Sequence, residues 1–250
     1  MIACTNLSVS KKEFSILNHV NINIPDRSFY TILGPNGSGK TTLLKCICGL
    51  NQEYSGTIKI NKEDAKTFDE EKLSKNITWI PEHLNIPFEY TALELTVLGR
   101  FPWHQGHPKM IDYEKAIEAL AILDLQKKQN QSIQSMSSGE QKKTLLARAL
   151  ASEAEIIILD EPLANLDLAA AKKVCNIFRK LSEEGKTIVA SLHDLSLTYR
   201  FATHCAFLKA GILVSSGVKE SVFVANNIEN TYEVNVETVY DSNGLPHLIY

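Results

Sequence analysis

Gly34-Pro35-Asn36-Gly37-Ser38-Gly39-Lys40-Thr41 is the stretch of this 250-residue chain best suited to chemistry. Its spacing, G-x-x-x-x-G-K-T, is that of a phosphate cradle, and the context fits: the strand-like run "SFYTIL" precedes it and the helix-forming "TTLLKCICGL" follows. Glycines let backbone N–H groups curve around phosphate oxygens with no Cβ in the way. Lys40 can reach the outer phosphates, and the Thr41 hydroxyl can ligate Mg²⁺. A second group lies at Ile156-Ile157-Ile158-Leu159, an apolar run that delivers Asp160 and Glu161. Adjacent carboxylates at the end of such a run are costly unless a cation compensates. Asp160 suits Mg²⁺, and Glu161 suits a base that polarises an attacking water. His193 closes a third run, "VASLHD", where its imidazole can meet a γ-phosphate oxygen and hold the water. Finally, "QSMSSGEQKKTLLARAL" starts a strong helix at Ser137 or Ser138, both natural N-caps. Free N–H groups at such a start can hold an anion.

The elements that must position these residues can be read from period and punctuation. "IACTNLSV", "HVNINI", "SFYTIL", "GTIKIN" and "ITWIP" read as strands. From about Thr91 to Leu150 the pattern is helical, broken by the loop "RFPWHQGHP". Strands return with "EIIILDEP" and "KTIVASLHD", separated by a helix over about 169–184 and followed by one over about 195–202. "CAFLKAGILVSSG" is again strand-like, and 218–250 reads as one short helix and a final strand pair. Apolar runs that alternate with helices imply a parallel, buried sheet, so the fold class is α/β.

Composition narrows the function. Hydrophobic residues make up 44% and charged residues 22%, with a net charge of -3, which argues against a nucleic-acid partner. No apolar run is long enough to span a bilayer. "MIACTNLSVSKK" lacks the charged start and apolar core of a signal peptide. Cys4, Cys46, Cys48, Cys175 and Cys205 form no C-x-x-C pair; Cys46 and Cys48 read as small core residues of a buried helix, as expected in a reducing cytosol. His104 and His107 have no third ligand nearby and read as a solvated loop pair.

The order cradle, "MSSGEQ", "IIILDEP", "ANLD", "LHD" resembles that of the ATP-binding-cassette (ABC) ATPases over nearly the whole chain. The resemblance implies a P-loop NTPase (RecA-like) core with an antiparallel β subdomain and an inserted helical subdomain. Residues 1–85 and 155–217 would form the core and β subdomain, 86–154 the helical subdomain, and 218–250 a C-terminal helix and β element. It implies ATP held by Gly34, Pro35, Asn36, Gly37, Ser38, Gly39, Lys40, Thr41 and Thr42, with Mg²⁺ held by Thr41, Glu82 and Asp160. Lys40, Glu82, Glu161 and His193 would be catalytic. Ser137, Ser138, Gly139 and Glu140 would face the ATP of a second copy in a homodimer, with Ser137 donating to phosphate. Asp167 would couple the two sites.

Three positions depart from the family pattern. Glu82 stands where the family has Gln; at ~5 Å and an effective dielectric of about 20 its charge would repel a triphosphate by roughly 3 kcal/mol unless screened, so slower turnover is expected. The usual adenine-stacking aromatic falls at Lys11, with Phe14 as substitute. Ser138 replaces the first signature glycine and should be tolerated. The stretch "TALELTVLGRFPWHQGH", with its G-R-x-P run, and the tail "YEVNVETVYDSNGLPHLIY" resemble the ATPases of metal-chelate importers (siderophores, haem, cobalamin). That resemblance implies polytopic permease subunits docking near Ile86, Pro87, Phe88, Tyr90, Phe101 and Trp103, a separate substrate-binding protein, and a place at the cytoplasmic face of the membrane. Alternatives are the ATPase of a free zinc or manganese importer or another ABC transporter, and a soluble ABC ATPase of iron–sulfur assembly or regulation.

Overall fold

The computed structural model describes residues 1–12, 14–83, 86, 88–240 and 246–249. It divides into two compact units, 1–67 with 191–250, and 68–190.

The chain opens with β1 (Ile2–Lys11), β2 (Phe14–Ile24) and β3 (Phe29–Leu33), then α1 (Lys40–Ile47), β4 (Ser55–Ile60) and the short β5 (Glu63–Asp64). β1 pairs antiparallel with both β2 and β4, giving a sheet of order β2-β1-β4-β5. Ile2, Cys4, Leu7 and Val9 of β1 are buried on one face, the period-2 pattern of a half-buried antiparallel strand. All five residues of β3, "FYTIL", are buried, which an uninterrupted apolar run requires.

The second unit begins with α2 (Glu70–Asn76) and β6 (Ile77–Ile80), then α3 (Ala92–Val97), α4 (Phe101–His104), α5 (Met110–Ile122) and α6 (Ser138–Ala151). β7 (Ile156–Leu159), α7 (Leu168–Glu183) and β8 (Thr187–Ser191) follow. β6, β7 and β8 pair in parallel, with Ile80 opposite Leu159 and Leu159 opposite Ala190. β7 and β8 are buried throughout, so the parallel sheet read from the sequence is present. α2 was not foreseen: it buries no residue and lacks apolar periodicity, and Asp69 sets its start by accepting from the Lys72 N–H at 2.7 Å.

Returning to the first unit, α8 (Leu195–Phe201) leads to β9 (His204–Lys209) and β10 (Ile212–Val218). β9 runs parallel to β3 and forms a hairpin with β10 through Ala210 (φ 46) and Gly211 (φ 78), two left-handed residues that suit a tight hairpin turn. The tail carries two helices rather than one, α9 (Lys219–Val222) and α10 (Ala225–Tyr232), then the antiparallel pair β11 (Glu237–Tyr240) and β12 (Pro246–Ile249). No helix of the described residues is long and apolar enough to cross a membrane.

Candidate functional site

β3 ends at Leu33 and hands the chain to the phosphate loop. A Cβ on Gly34 would lie 2.0 Å from the Leu208 carbonyl oxygen, so only glycine allows this approach of the loop to β9. Gly39, the residue before α1, has φ 102, and a Cβ there would meet Leu17 Cδ2 at 2.8 Å. The β9–β10 turn holds the loop from the side. Gly211 N–H donates to the Ser38 carbonyl at 2.9 Å, and the Gly211 carbonyl accepts from Asn18 N–H at 2.9 Å. Lys40 is buried, and its Nζ donates to the carbonyls of Gly34 (2.8 Å) and Pro35 (3.2 Å). Ser38 Oγ is buried with no hydrogen-bond partner. An orphaned buried hydroxyl is what a loop built for phosphate oxygens carries, and the glycine cradle fits the group.

His193 belongs to the same unit. Leu192 N–H donates to the Ile32 carbonyl at 3.2 Å, two residues short of Gly34, and Asp194 caps α8 by accepting from Leu197 N–H at 2.8 Å. Between these anchors His193 is exposed, one residue past the Leu192 contact with β3. Lys11 and Phe14 face each other as register partners at the β1–β2 tip, and Phe14 is 78% exposed. The two residues considered for adenine stacking therefore occupy one place.

The second unit gathers the acids. Asp160 N–H donates to the Ile80 carbonyl at 2.9 Å, and its side chain is buried at the ends of β6 and β7. Glu161 has φ 47, a left-handed backbone unusual for a residue with a Cβ and costing on the order of 1 kcal/mol. Glu82 follows β6, with His83 Nε2 3.0 Å from its Oε1. Lys142 of α6 is buried, and its Nζ donates to the Glu82 carbonyl at 3.0 Å. Burial pulls the Lys142 ammonium below the ordinary lysine range, while the charges of Glu82, Asp160 and Glu161 act in the opposite direction.

α6 is fixed at both ends. Ser137, rather than Ser138, is its N-cap: Ser137 Oγ accepts from Glu140 N–H (3.4 Å) and Glu140 Oε2 accepts from Ser137 N–H (3.1 Å), a reciprocal capping box. The ion pair of Glu140 with Lys128 holds the Glu140 carboxyl below the usual carboxylate range. A Cβ on Gly139 would meet the Asn165 carbonyl at 3.2 Å, so the first turn packs on the loop after β7. Asp167 ends that loop as the N-cap of α7, accepting from Ala170 N–H at 2.7 Å. At the other end, Gly99 lets the Arg148 carbonyl approach to 2.2 Å of where a Cβ would stand. Buried Arg100 donates to the Ala151 carbonyl (2.9 Å), Asp112 Oδ1 (3.2 Å) and Glu153 Oε2 (2.7 Å), and Trp103 Nε1 donates to the Ser152 carbonyl (2.9 Å). A cation and an indole N–H thus each satisfy one carbonyl at the negative end of the helix.

His104 Nδ1 accepts from Gly106 N–H at 3.0 Å, a local turn, and among the described residues no group of three or more His, Cys, Asp or Glu is arranged to hold a metal. Phe88, Phe101 and Trp103 are exposed; Pro87 lies outside the described residues. Sequence reasoning missed Lys142, although it shares the apolar face of α6 with Leu145, Leu146 and Ala149. A lysine in that stripe was the available signal. Exposed Met110, Ile111 and Tyr113 were also missed.

A glycine cradle that follows a buried strand and opens a helix defines a P-loop nucleotide-binding protein. The chain belongs to the ABC transporter family, whose profile matches residues 17–164. It is 27% identical over 243 residues to the iron(3+)-hydroxamate import ATP-binding protein of Bacillus subtilis (strain 168), covering 96% of this chain and 90% of that one. It is 29% identical over 234 residues to the hemin import ATP-binding protein of Rhodococcus jostii (strain RHA1), covering 93% and 80%. Among solved structures it resembles a dimeric, post-hydrolysis ATP-binding cassette bound to ADP and Pi, with a TM-score of 0.78 and 29% identity over 87% of this chain and 98% of that one.

Proposed function

We propose that this chain is the ATP-hydrolysing subunit of an importer for a metal chelate, a siderophore, haem or cobalamin. It works as a homodimer at the cytoplasmic face of the membrane, under polytopic permease subunits served by a separate substrate-binding protein. The observation that carries the reading is the glycine-lined phosphate loop with its unpaired, buried Ser38 hydroxyl, in a chain aligned over nearly its full length with chelate-import ATP-binding proteins.

In this reading Lys40 exchanges the carbonyls of Gly34 and Pro35 for the outer phosphates of ATP, and loop N–H groups from Gly34 to Thr42 hold the rest. Thr41, Glu82 and Asp160 would hold Mg²⁺, which supplies positive charge against the phosphate oxygens. Glu161 polarises the attacking water and takes its proton, and His193 orients that water against the γ-phosphate. Phe14 stacks on adenine. The capped start of α6, Ser137 to Glu140, faces the ATP of the second copy, and Asp167 couples the two sites. Exposed Phe88, Phe101 and Trp103 support a permease-docking surface on the second unit, to which Met110, Ile111 and Tyr113 add apolar area.

Co-purification tests the assignment. The tagged chain is drawn from gently solubilised native membranes and its companions are identified by mass spectrometry. A polytopic permease is expected, and its identity separates a chelate importer from a free-metal one. Recovery from the soluble fraction alone, with cytosolic partners, would contradict import and favour a soluble ABC ATPase.

A further inference from the structure

Successive side chains of a strand point to opposite faces, and the end of β9 serves two different parts of the first unit. Leu208 serves the phosphate loop. Its carbonyl oxygen lies 2.0 Å from where a Cβ on Gly34 would stand, and its Cδ2 lies 3.5 Å from the same point on Gly39. Phe207 and Lys209 serve the tail. The Phe207 ring meets Phe223 with centroids 5.6 Å apart, and Tyr232 of α10 edge-on at 6.4 Å. Lys209 Nζ donates to the Asn230 carbonyl in the last turn of α10 at 2.7 Å and pairs with Glu233 Oε1 at 2.7 Å, so a cation caps the negative end of that helix. Lys209 is also the last residue of β9 before the left-handed Ala210 and Gly211. That turn is wedged in place. Gly211 N–H donates to the Ser38 carbonyl and its own carbonyl accepts from Asn18 N–H, both at 2.9 Å, while a Cβ on Gly211 would lie 2.3 Å from the Ile16 carbonyl. Lys209 therefore joins α10 to a turn seated between the phosphate loop and β2.

We propose that Lys209 is a positioning residue for nucleotide: by ending β9 and capping α10 it sets the β9–β10 turn against Ser38, so that docking of the tail and occupancy of the phosphate loop are linked. The link acts both ways. A docked tail keeps the turn where it leaves the loop ready for phosphate oxygens. A filled loop steadies the turn and, through Lys209, the last turn of α10. This rests on the ATPase reading above.

The test uses the full-length chain, with Lys209→Met, which removes the donors, Lys209→Arg, which keeps them, and Glu233→Gln, which removes only a solvent-exposed ion pair. Two readouts are taken: the Kd for MgADP, and hydrogen exchange of the α10 amides with and without MgADP. In the parent, MgADP is expected to slow exchange at the end of α10, where Glu233 N–H donates to the Glu229 carbonyl at 2.8 Å, by about five- to tenfold. Lys209→Met should weaken MgADP binding by a similar factor and abolish that added protection. Lys209→Arg and Glu233→Gln should each stay within about threefold of the parent in Kd. A Lys209→Met chain whose α10 exchanges faster while its Kd is unchanged would make the lysine purely structural and overturn the proposal. So would a parent that binds MgADP with no added protection in α10, a result that needs no variant to fold. A parent that binds no nucleotide at all would instead overturn the ATPase reading, and the proposal with it.

Discussion

Lys40 and Glu161 carry opposite halves of the proposed reaction, and each stands in a conformation that needs explaining without a ligand. Lys40 is buried and donates to the carbonyls of Gly34 and Pro35, and Glu161 holds a left-handed backbone. Lys40→Ala is expected to weaken ATP binding and hydrolysis together. Glu161→Gln should keep nucleotide binding and lower kcat by about a hundredfold or more, the usual weight of a general base, as read by phosphate release. Glu82 is the residue whose environment alters the expectation most. From sequence its charge is expected to repel the triphosphate unless the metal screens it. The Glu82 carboxylate has His83 Nε2 at 3.0 Å as a hydrogen-bonding neighbour, and the Lys142 ammonium holds its backbone carbonyl. Glu82→Gln is therefore expected to raise turnover per site by only about two- to tenfold, short of the hundredfold that roughly 3 kcal/mol would give. An unchanged rate would remove the charge from the account. The turn at Gly34 and Gly39 and the helix that follows were legible because that motif is a local pattern of a few residues. Lys142 was not, because a lysine is read as surface until packing shows it buried.

At the scale of elements, α6 is the part whose placement decides most, and its two ends are held by different chemistry. The N-terminal capping box was visible as Ser-x-x-Glu, a local pattern. The C-terminal clamp by Arg100 and Trp103 joins residues about fifty positions apart, and nothing periodic announces it; G-R-x-P was noticed only through family resemblance. Arg100→Met should strand buried Asp112 without its cation, while Glu153 keeps Lys115, and destabilise the second unit by about 3–5 kcal/mol, measured from the denaturant midpoint. Asp112 gives the clamp a pH signature. Burial alone would raise its carboxyl, but the Lys109 N–H and the Arg100 guanidinium outweigh burial and hold it below the usual carboxylate range. A carboxyl lowered in the folded state adds stability that is complete above its unfolded value near 4 and lost as pH falls through the folded one. Acid titration of the Arg100→Met variant should lose this component. α2 and the second tail helix escaped sequence reading for the opposite reason: they are short and polar, with little apolar period to find.

For the whole molecule, the five cysteines are buried, and burial pushes the Cys4 and Cys205 thiols up to about 12 and the Cys46 thiol up to about 11. Thiols held neutral and out of solvent should ignore an aromatic disulfide reagent in the native chain and all react after unfolding in guanidinium; rapid native labelling would contradict their place in the core. The α/β class and the buried parallel strands were readable from apolar runs alone, since such runs have no other stable place. Assembly was not, because a partner's nucleotide leaves no mark on one chain beyond a helix start with open N–H groups. The claim that the start of α6 serves the ATP of a second copy is therefore the central one, and light scattering on Glu161→Gln with saturating MgATP tests it most directly. Blocked hydrolysis should trap a species with the mass of two chains, and Ser137→Ala in the same background should weaken it. A chain that stays monomeric with ATP demonstrably bound would contradict the account.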